Sequence, residues 1–208
     1  MSPFEDPLGS PVGVFFWTME AQKQILFEGE EVHRTISRMA HEIIEKNGGI
    51  EDLTLIGIRS RGAHLVRRLA VKIETLSGIA PPVGIIDVTP FRDDIGREVM
   101  PTNPLPVQVP VSVDGKTVVL VDDVIYTGRT IRAALDLLVD LGKPKRILVA
   151  ILVDRGDREL PIKADIVGKN VQAKDSERVN VLLHEADGVD QVTVTEDRQR
   201  GLRSPSNV

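Results

Sequence analysis

The chain of 208 residues contains no cysteine. That absence excludes a disulfide framework and any thiolate metal site, and it fits a reducing cytoplasm. Aromatic residues are scarce at 3 %, yet the apolar share of 41 % is ordinary and sufficient for one domain with a full core. Basic charge is not in excess: 26 Lys and Arg face 31 Asp and Glu, for a net charge of -5. This balance excludes generic, charge-driven nucleic-acid binding. No apolar run reaches the length of a membrane-spanning helix. The longest near the N-terminus, Val12 to Trp17, follows Glu5 and Asp6, not basic residues, and is no secretory signal. Internal repeats and domain linkers are also missing.

The charge is unevenly placed. Residues 32–72 hold eight basic side chains (Arg34, Arg38, Lys46, Arg59, Arg61, Arg67, Arg68, Lys72) against four acids (Glu42, Glu45, Glu51, Asp52). Residues 1–18 hold three prolines and no periodicity, which predicts a flexible arm, with Met19 a candidate start. The polar stretch 196–208 predicts a frayed tail, leaving one domain over 19–195. Within it, Val32, Ile36, Met39 and Ile43 recur at helical spacing and predict a helix over 30–46, ended by Asn47-Gly48-Gly49. Leu53 to Ile58 reads as a strand, 62–77 as a helix stopped by Gly78, and 83–88 as a strand. The proline-rich 90–116 reads as a long functional loop with one possible element at 107–113. A strand at 117–122, a helix at 129–141 and an all-apolar strand at 147–153 follow, then short strands at 166–167, 179–183 and 189–194. The alternation predicts an α/β fold: a mostly parallel twisted sheet flanked by helices, with a site at the C-terminal ends of the strands.

The most informative run is Thr117 to Thr130, TVVLVDDVIYTGRT. It joins a buried strand to two adjacent carboxylates, a small polar loop and a helix start. Successive strand side chains point to opposite faces, so Asp122 and Asp123 both reach a ligand only where the strand is breaking up. Two carboxylates accept hydrogen bonds from vicinal ribose hydroxyls and supply charge beside a sugar that becomes oxocarbenium-like. Thr127-Gly128-Arg129-Thr130 then offers free backbone N–H groups and hydroxyls to a phosphate. An Asp-Asp pair alone is common; the whole run is specific. Gly57-Ile58-Arg59-Ser60-Arg61-Gly62 also joins a strand to a helix, and its two arginines make a second anion pocket. Gly115-Lys116-Thr117 is not a nucleotide P-loop, because the first glycine of that motif falls on Pro110 and a strand follows instead of preceding it. His41-Glu42-Ile43-Ile44-Glu45 lacks the second histidine of a zinc helix.

The 117–130 run resembles the 5-phosphoribosyl-1-pyrophosphate (PRPP) motif of type I phosphoribosyltransferases. Residues 153–171, together with 35–46 and 87–94, narrow the likeness. Over about 24–194 the chain resembles the bifunctional pyrimidine operon attenuators that are also uracil phosphoribosyltransferases. The resemblance implies a flexible lid, a small hood, and conversion of uracil and PRPP to UMP and pyrophosphate with Mg²⁺. It also implies uridine-nucleotide-dependent binding (by UMP or UTP) of the messenger RNA leader hairpin of the pyrimidine operon. The implied oligomer is a homodimer or tetramer, with no membrane partner.

Residue by residue, the resemblance implies PRPP contacts at Arg59, Ser60, Arg61 and Gly62. It implies further PRPP contacts at Val119, Leu120, Val121, Asp122, Asp123, Val124, Ile125, Tyr126, Thr127, Gly128, Arg129 and Thr130. Arg61, Asp122 and Asp123 take the catalytic roles, and the two acids hold Mg²⁺ mainly through water and PRPP. A cis peptide is implied near Ser60-Arg61. Arg92 and Asp93 fall at the base of the lid. Val153, Asp154 and Arg155 present the hood to uracil. The RNA face takes Ser37, Arg38, His41, Lys46, Arg158, Lys163 and Lys169, with Arg34 and Arg38 on the exposed side of the first helix. Three features depart from the pattern: Asp157 replaces a common His, Gln172-Ala173-Lys174-Asp175 replaces a Pro/Thr/Ser-rich stretch, and Pro90 replaces Leu. The alternatives are a plain salvage transferase and an RNA regulator with vestigial transferase activity.

Overall fold

In the structure, a computed structural model, residues 23–89 and 112–197 are described. The proposed arm, almost all of the tail, and the lid residues Arg92 and Asp93 lie outside them. Five strands form one parallel sheet. In spatial order they are β3 (Val83–Ile86), β2 (Leu53–Ile58), β4 (Thr117–Ile125), β5 (Arg146–Asp154) and β6 (Ile166–Asn170). All six residues of β2 are buried, as expected of a strand covered on both faces.

The helices follow the predicted periods closely. Helix α1 (Gly29–Asn47) buries Val32, Ile36, Met39 and Ile43, and Gly48 closes it in a left-handed conformation at φ 75°. Helix α2 spans Gly62–Ser77 and α3 spans Arg129–Leu141. Alternation along β4 divides the core. Val119 and Val121 pack with α1 and α2, whereas Val118 and Leu120 pack with α3 on the opposite face. The sheet is thus a three-layer sandwich whose strand C-termini converge on one edge.

Two expectations need correction. Residues 179–183 and 189–194 do not extend the parallel sheet. Strands β7 (Glu177–Leu182) and β8 (Gln191–Glu196) instead form a separate antiparallel sheet with β1 (Gln24–Glu28), in the order β1-β8-β7. Strand β1 was not expected from the sequence; five residues directly abutting a helix carry no clear alternation. The second correction concerns the hood, which is this small sheet and not the segment from Val153. Val153 lies in β5, wholly buried within the main sheet. The small sheet packs Val179, Val181, Val192 and Val194 into the α1/α2 side of the core.

Candidate active site

The acids, expected at the strand's terminus, sit inside β4, which continues to Ile125. Pairing of β4 with β2 stops at Val121, while pairing with β5 continues to Ile125. Residues 122–125 are therefore half-released: one edge is still bonded and the other faces the α2 N-terminus. Asp122 is 6 % exposed, and its Oδ1 accepts the N–H of Asp123 at 2.9 Å. Asp123 opens onto the cleft. Dense protein around its carboxyl pushes its pKa up, against the pull of Asp122, the Val124 N–H and Arg61. The two adjacent acids have different surroundings: Asp122 is buried and bonded to the backbone of Asp123, whereas Asp123 is partly buried and borders the cleft.

The second anion loop is pressed against this strand. A Cβ on Gly62 would stand 2.6 Å from the Val121 carbonyl oxygen and 3.3 Å from Asp122 Oδ1, so only glycine allows the approach. A cis peptide joins Arg59 to Ser60, one bond before the expected position. Gly128, at φ 92°, turns the third segment into α3, and Thr127, Gly128 and Thr130 line the cleft at the start of that helix.

These three segments and the small sheet enclose a cleft of about 780 Å³. Arg61, Asp123 to Gly128, Thr130 and Arg155 line it from the main sheet. Several predicted contacts lie elsewhere. Val119, Leu120 and Val121 are wholly buried and carry the acids without lining the cleft. Gly62 is buried beneath it, and Arg59 and Ser60 are exposed outside its lining. Asp154 faces a different cavity. Arg155 stacks its guanidinium 4.0 Å from the Tyr126 ring centre and donates to the Glu177 and Lys174 carbonyls at 2.9 and 3.2 Å. Its Nε is buried with no hydrogen-bond partner among the described residues.

The cleft wall that sequence reasoning missed is the small sheet. Lys23, residues 177–182, Thr193, Thr195 and Asp197 line it. The alternation of Arg178 and Asn180 with buried Val179 and Val181 signals one wet face. Nothing in that pattern says that the wet face looks onto β4.

Ion pairs hold the small sheet over α2. Arg61 binds Asp187 through Nη2 to Oδ1 at 2.7 Å and Nε to Oδ2 at 3.3 Å. Asp187 lies on α4 (His184–Asp187), between β7 and β8. Arg68 binds both Glu185, at 2.5 Å, and Asp190, at 2.8 Å. The Arg68 hydrogen bond holds the Glu185 carboxyl below its usual range. Burial opposes ionisation of Asp187 and Asp190. The Leu183 N–H with Arg61, and Arg68 with the His184 N–H, outweigh it and leave both below the ordinary value. Carboxyls with lowered folded-state pKa stabilise above their unfolded values of 3.8 to 4.5 and lose that contribution as pH falls through the folded values. Acidification from pH 7 to about pH 3 is therefore expected to release the small sheet first. Hydrogen exchange of the β7 and β8 amides will accelerate ahead of β2 and β4; a uniform rise across both sheets would contradict this.

The residues assigned to an RNA face are only partly available. Ser37 donates to the His33 carbonyl at 2.9 Å. Arg38 remains half-exposed, but Nη2 donates to the Val167 and Gly168 carbonyls at 2.8 and 2.6 Å, tying α1 to β6. Lys46 pairs loosely with Glu42 at 3.8 Å, and Lys169 pairs with Glu31. His41 and Lys163 are exposed. Arg158 is turned inward. Arg34 is exposed as expected, pairing with Glu30.

A parallel sheet that delivers an acid pair between two helix-opening anion loops, roofed by a small antiparallel sheet, defines the type I phosphoribosyltransferase fold. The phosphoribosyl transferase domain model matches residues 23–186. Hypoxanthine phosphoribosyltransferase of Trypanosoma cruzi shares the fold at a TM-score of 0.64, covering 85 % of this chain and 97 % of that one, at 19 % identity. Bifunctional protein PyrR of Chloroflexus aurantiacus is 52 % identical over 176 residues, spanning 85 % of this chain and 96 % of its own. The namesake protein of Deinococcus deserti is 52 % identical over 84 % of this chain and 95 % of its own. The chain belongs to the phosphoribosyltransferase domain family and, within it, to the bifunctional PyrR proteins. No helix among the described residues is long and apolar enough to cross a membrane.

Proposed function

We propose that the chain transfers the phosphoribosyl group of PRPP to uracil, and that it also regulates pyrimidine genes by binding their messenger RNA leader when uridine nucleotide is present. The observation that carries the chemistry is the one cleft shared by Asp123, Arg61 and, at the start of α3, Thr127, Gly128 and Thr130. The α3 N-terminus receives the 5′-phosphate, with Gly128 allowing close approach. Arg61 exchanges its Asp187 partner for the leaving pyrophosphate. Asp122 holds the backbone of Asp123, whose carboxylate takes the ribose hydroxyls and faces the charge that develops on the sugar. Arg155 borders the same cleft, and its guanidinium, stacked on the Tyr126 ring, steadies the wall beside the uracil.

Mg²⁺ fits this donor set. Among the described residues no cluster of three His, Cys, Asp or Glu side chains exists to cage a metal. One cleft carboxylate, Asp123, with Asp122 buried behind it, suits an ion that prefers one or two protein oxygens plus substrate phosphates and water. Bound there, it neutralises the charge of pyrophosphate.

The regulatory role rests on membership of the PyrR proteins and on the match outside the catalytic loops. A steady-state assay with PRPP, Mg²⁺ and a panel of bases tests the first role, with UMP the expected product; preference for another base would overturn it. A gel shift with the leader hairpin, with and without UMP, tests the second. Binding that ignores UMP and vanishes with modest salt would mark mere counterion release.

A further inference from the structure

The segment between β5 and β6 wraps the outer side of the phosphate loop. Arg158, whose side chain is 20 % exposed, donates to the Tyr126 carbonyl at 2.9 Å, the Gly156 carbonyl at 2.9 Å, the Ile162 carbonyl at 3.1 Å and Asp154 Oδ2 at 2.6 Å. The next residues continue the contact. The N–H groups of Glu159 and Leu160 both reach the Thr127 carbonyl at 3.1 Å. Glu159 Oε2 accepts from Arg129 Nε at 2.8 Å and pairs with its Nη2 at 2.7 Å. Leu160 and Ile162 stand 3.5 Å from where a Cβ on Gly128 would be. Each residue from Tyr126 to Arg129 is thus gripped from behind by residues 158–162.

A guanidinium has five N–H donors and no acceptor. With four acceptors already within the chain, Arg158 has no fork to offer an RNA phosphate without abandoning the loop. At its far end the same segment carries exposed Lys163. Arg155, Arg158, Lys163 and Asn170 there border a second cavity of about 600 Å³.

We infer that Arg158 and Glu159 are positioning residues of the 5′-phosphate loop, and that they couple its occupancy by a nucleotide to the exposed basic end of the same segment at Lys163. The second half of this inference rests on the proposed RNA-binding role. A phosphate seated on the loop sets Tyr126, Thr127 and Arg129 in one arrangement. The grip then fixes residues 158–163 in the arrangement that meets RNA. Linkage makes the effect reciprocal: the factor by which UMP tightens RNA binding equals that by which RNA tightens UMP binding.

Glu159→Gln and Arg158→Lys test this, with PRPP kinetics and hairpin affinity measured with and without UMP. Each variant is expected to raise the PRPP KM by about tenfold, as for loss of one charge-assisted contact, with kcat within about twofold. In each, the UMP stimulation of hairpin binding falls towards one while UMP-free affinity is retained for Glu159→Gln. Lys163→Ala serves as the contrast and weakens hairpin binding equally with and without UMP. Equal weakening in both conditions for Arg158→Lys, at unchanged PRPP KM, would make Arg158 an RNA contact and overturn the inference. If the wild-type chain binds no hairpin at all, the regulatory reading fails by itself. The KM measurement then decides the positioning role, and an unchanged KM in both variants refutes it.

Discussion

Replacing Asp123 with Asn is expected to lower kcat for UMP formation by about 10²-fold, in the range for removing one preorganised electrostatic partner of a transition state. The same change is expected to raise the Tm at pH 7. Asp123 opens onto the cleft, and the protein packed around its carboxyl raises its pKa above the unfolded value of 3.8. A carboxyl with a raised folded-state pKa stabilises fully below its unfolded value and loses that contribution as pH rises through the folded one. The packing around that carboxyl therefore costs stability at pH 7 relative to acid pH, and Asn removes the cost. Its neighbour behaves differently. Asp122 is buried and spent on the Asp123 N–H, so Asp122→Asn acts through the position of residue 123. Turnover and calorimetry on the Asp123→Asn protein at pH 7 and near pH 4 check the argument. Loss of activity with a lowered Tm at neutral pH would show that Asp123 is a structural acid.

The second large effect lies under the site. Gly57 sits near the end of β2, where α2 crosses. A Cβ there would meet the Gly62 carbonyl oxygen at 2.5 Å and Val66 Cγ1 at 2.7 Å. The first neighbour is backbone and cannot rotate away. Gly57→Ala is thus expected to cost about 2–3 kcal/mol by overpacking and to lower the Tm by roughly 5–10 °C. It also pushes the α2 N-terminus outward and carries Arg61 with it. The PRPP KM should rise in the fraction that remains folded. A thermal melt within a degree of the wild type would refute this account of the β2–α2 contact.

Periodicity in the sequence was enough to locate α1, α2 and α3 and the central strands β2 and β5 to within a residue at each end, while β4 runs three residues past its expected end. Their apolar faces are continuous, and Gly48 and Gly78 close two of the helices. Both strand-to-helix junctions and the acid pair were legible for the same reason, since each is a run of contiguous residues. The likeness over 24–194 reached further and pointed to the PyrR proteins. Three matters were decided only by tertiary structure. The first is that β1 joins β7 and β8, a pairing between chain ends that no local pattern encodes. The second is that Arg61 and Arg68 face acids more than a hundred residues away, which leaves the basic stretch 32–72 partly neutralised. The third is that Arg158 points inward to the Tyr126 carbonyl and not outward to solvent. Residue type and spacing state what a side chain is able to bind; which partner it meets depends on where distant segments of the chain converge.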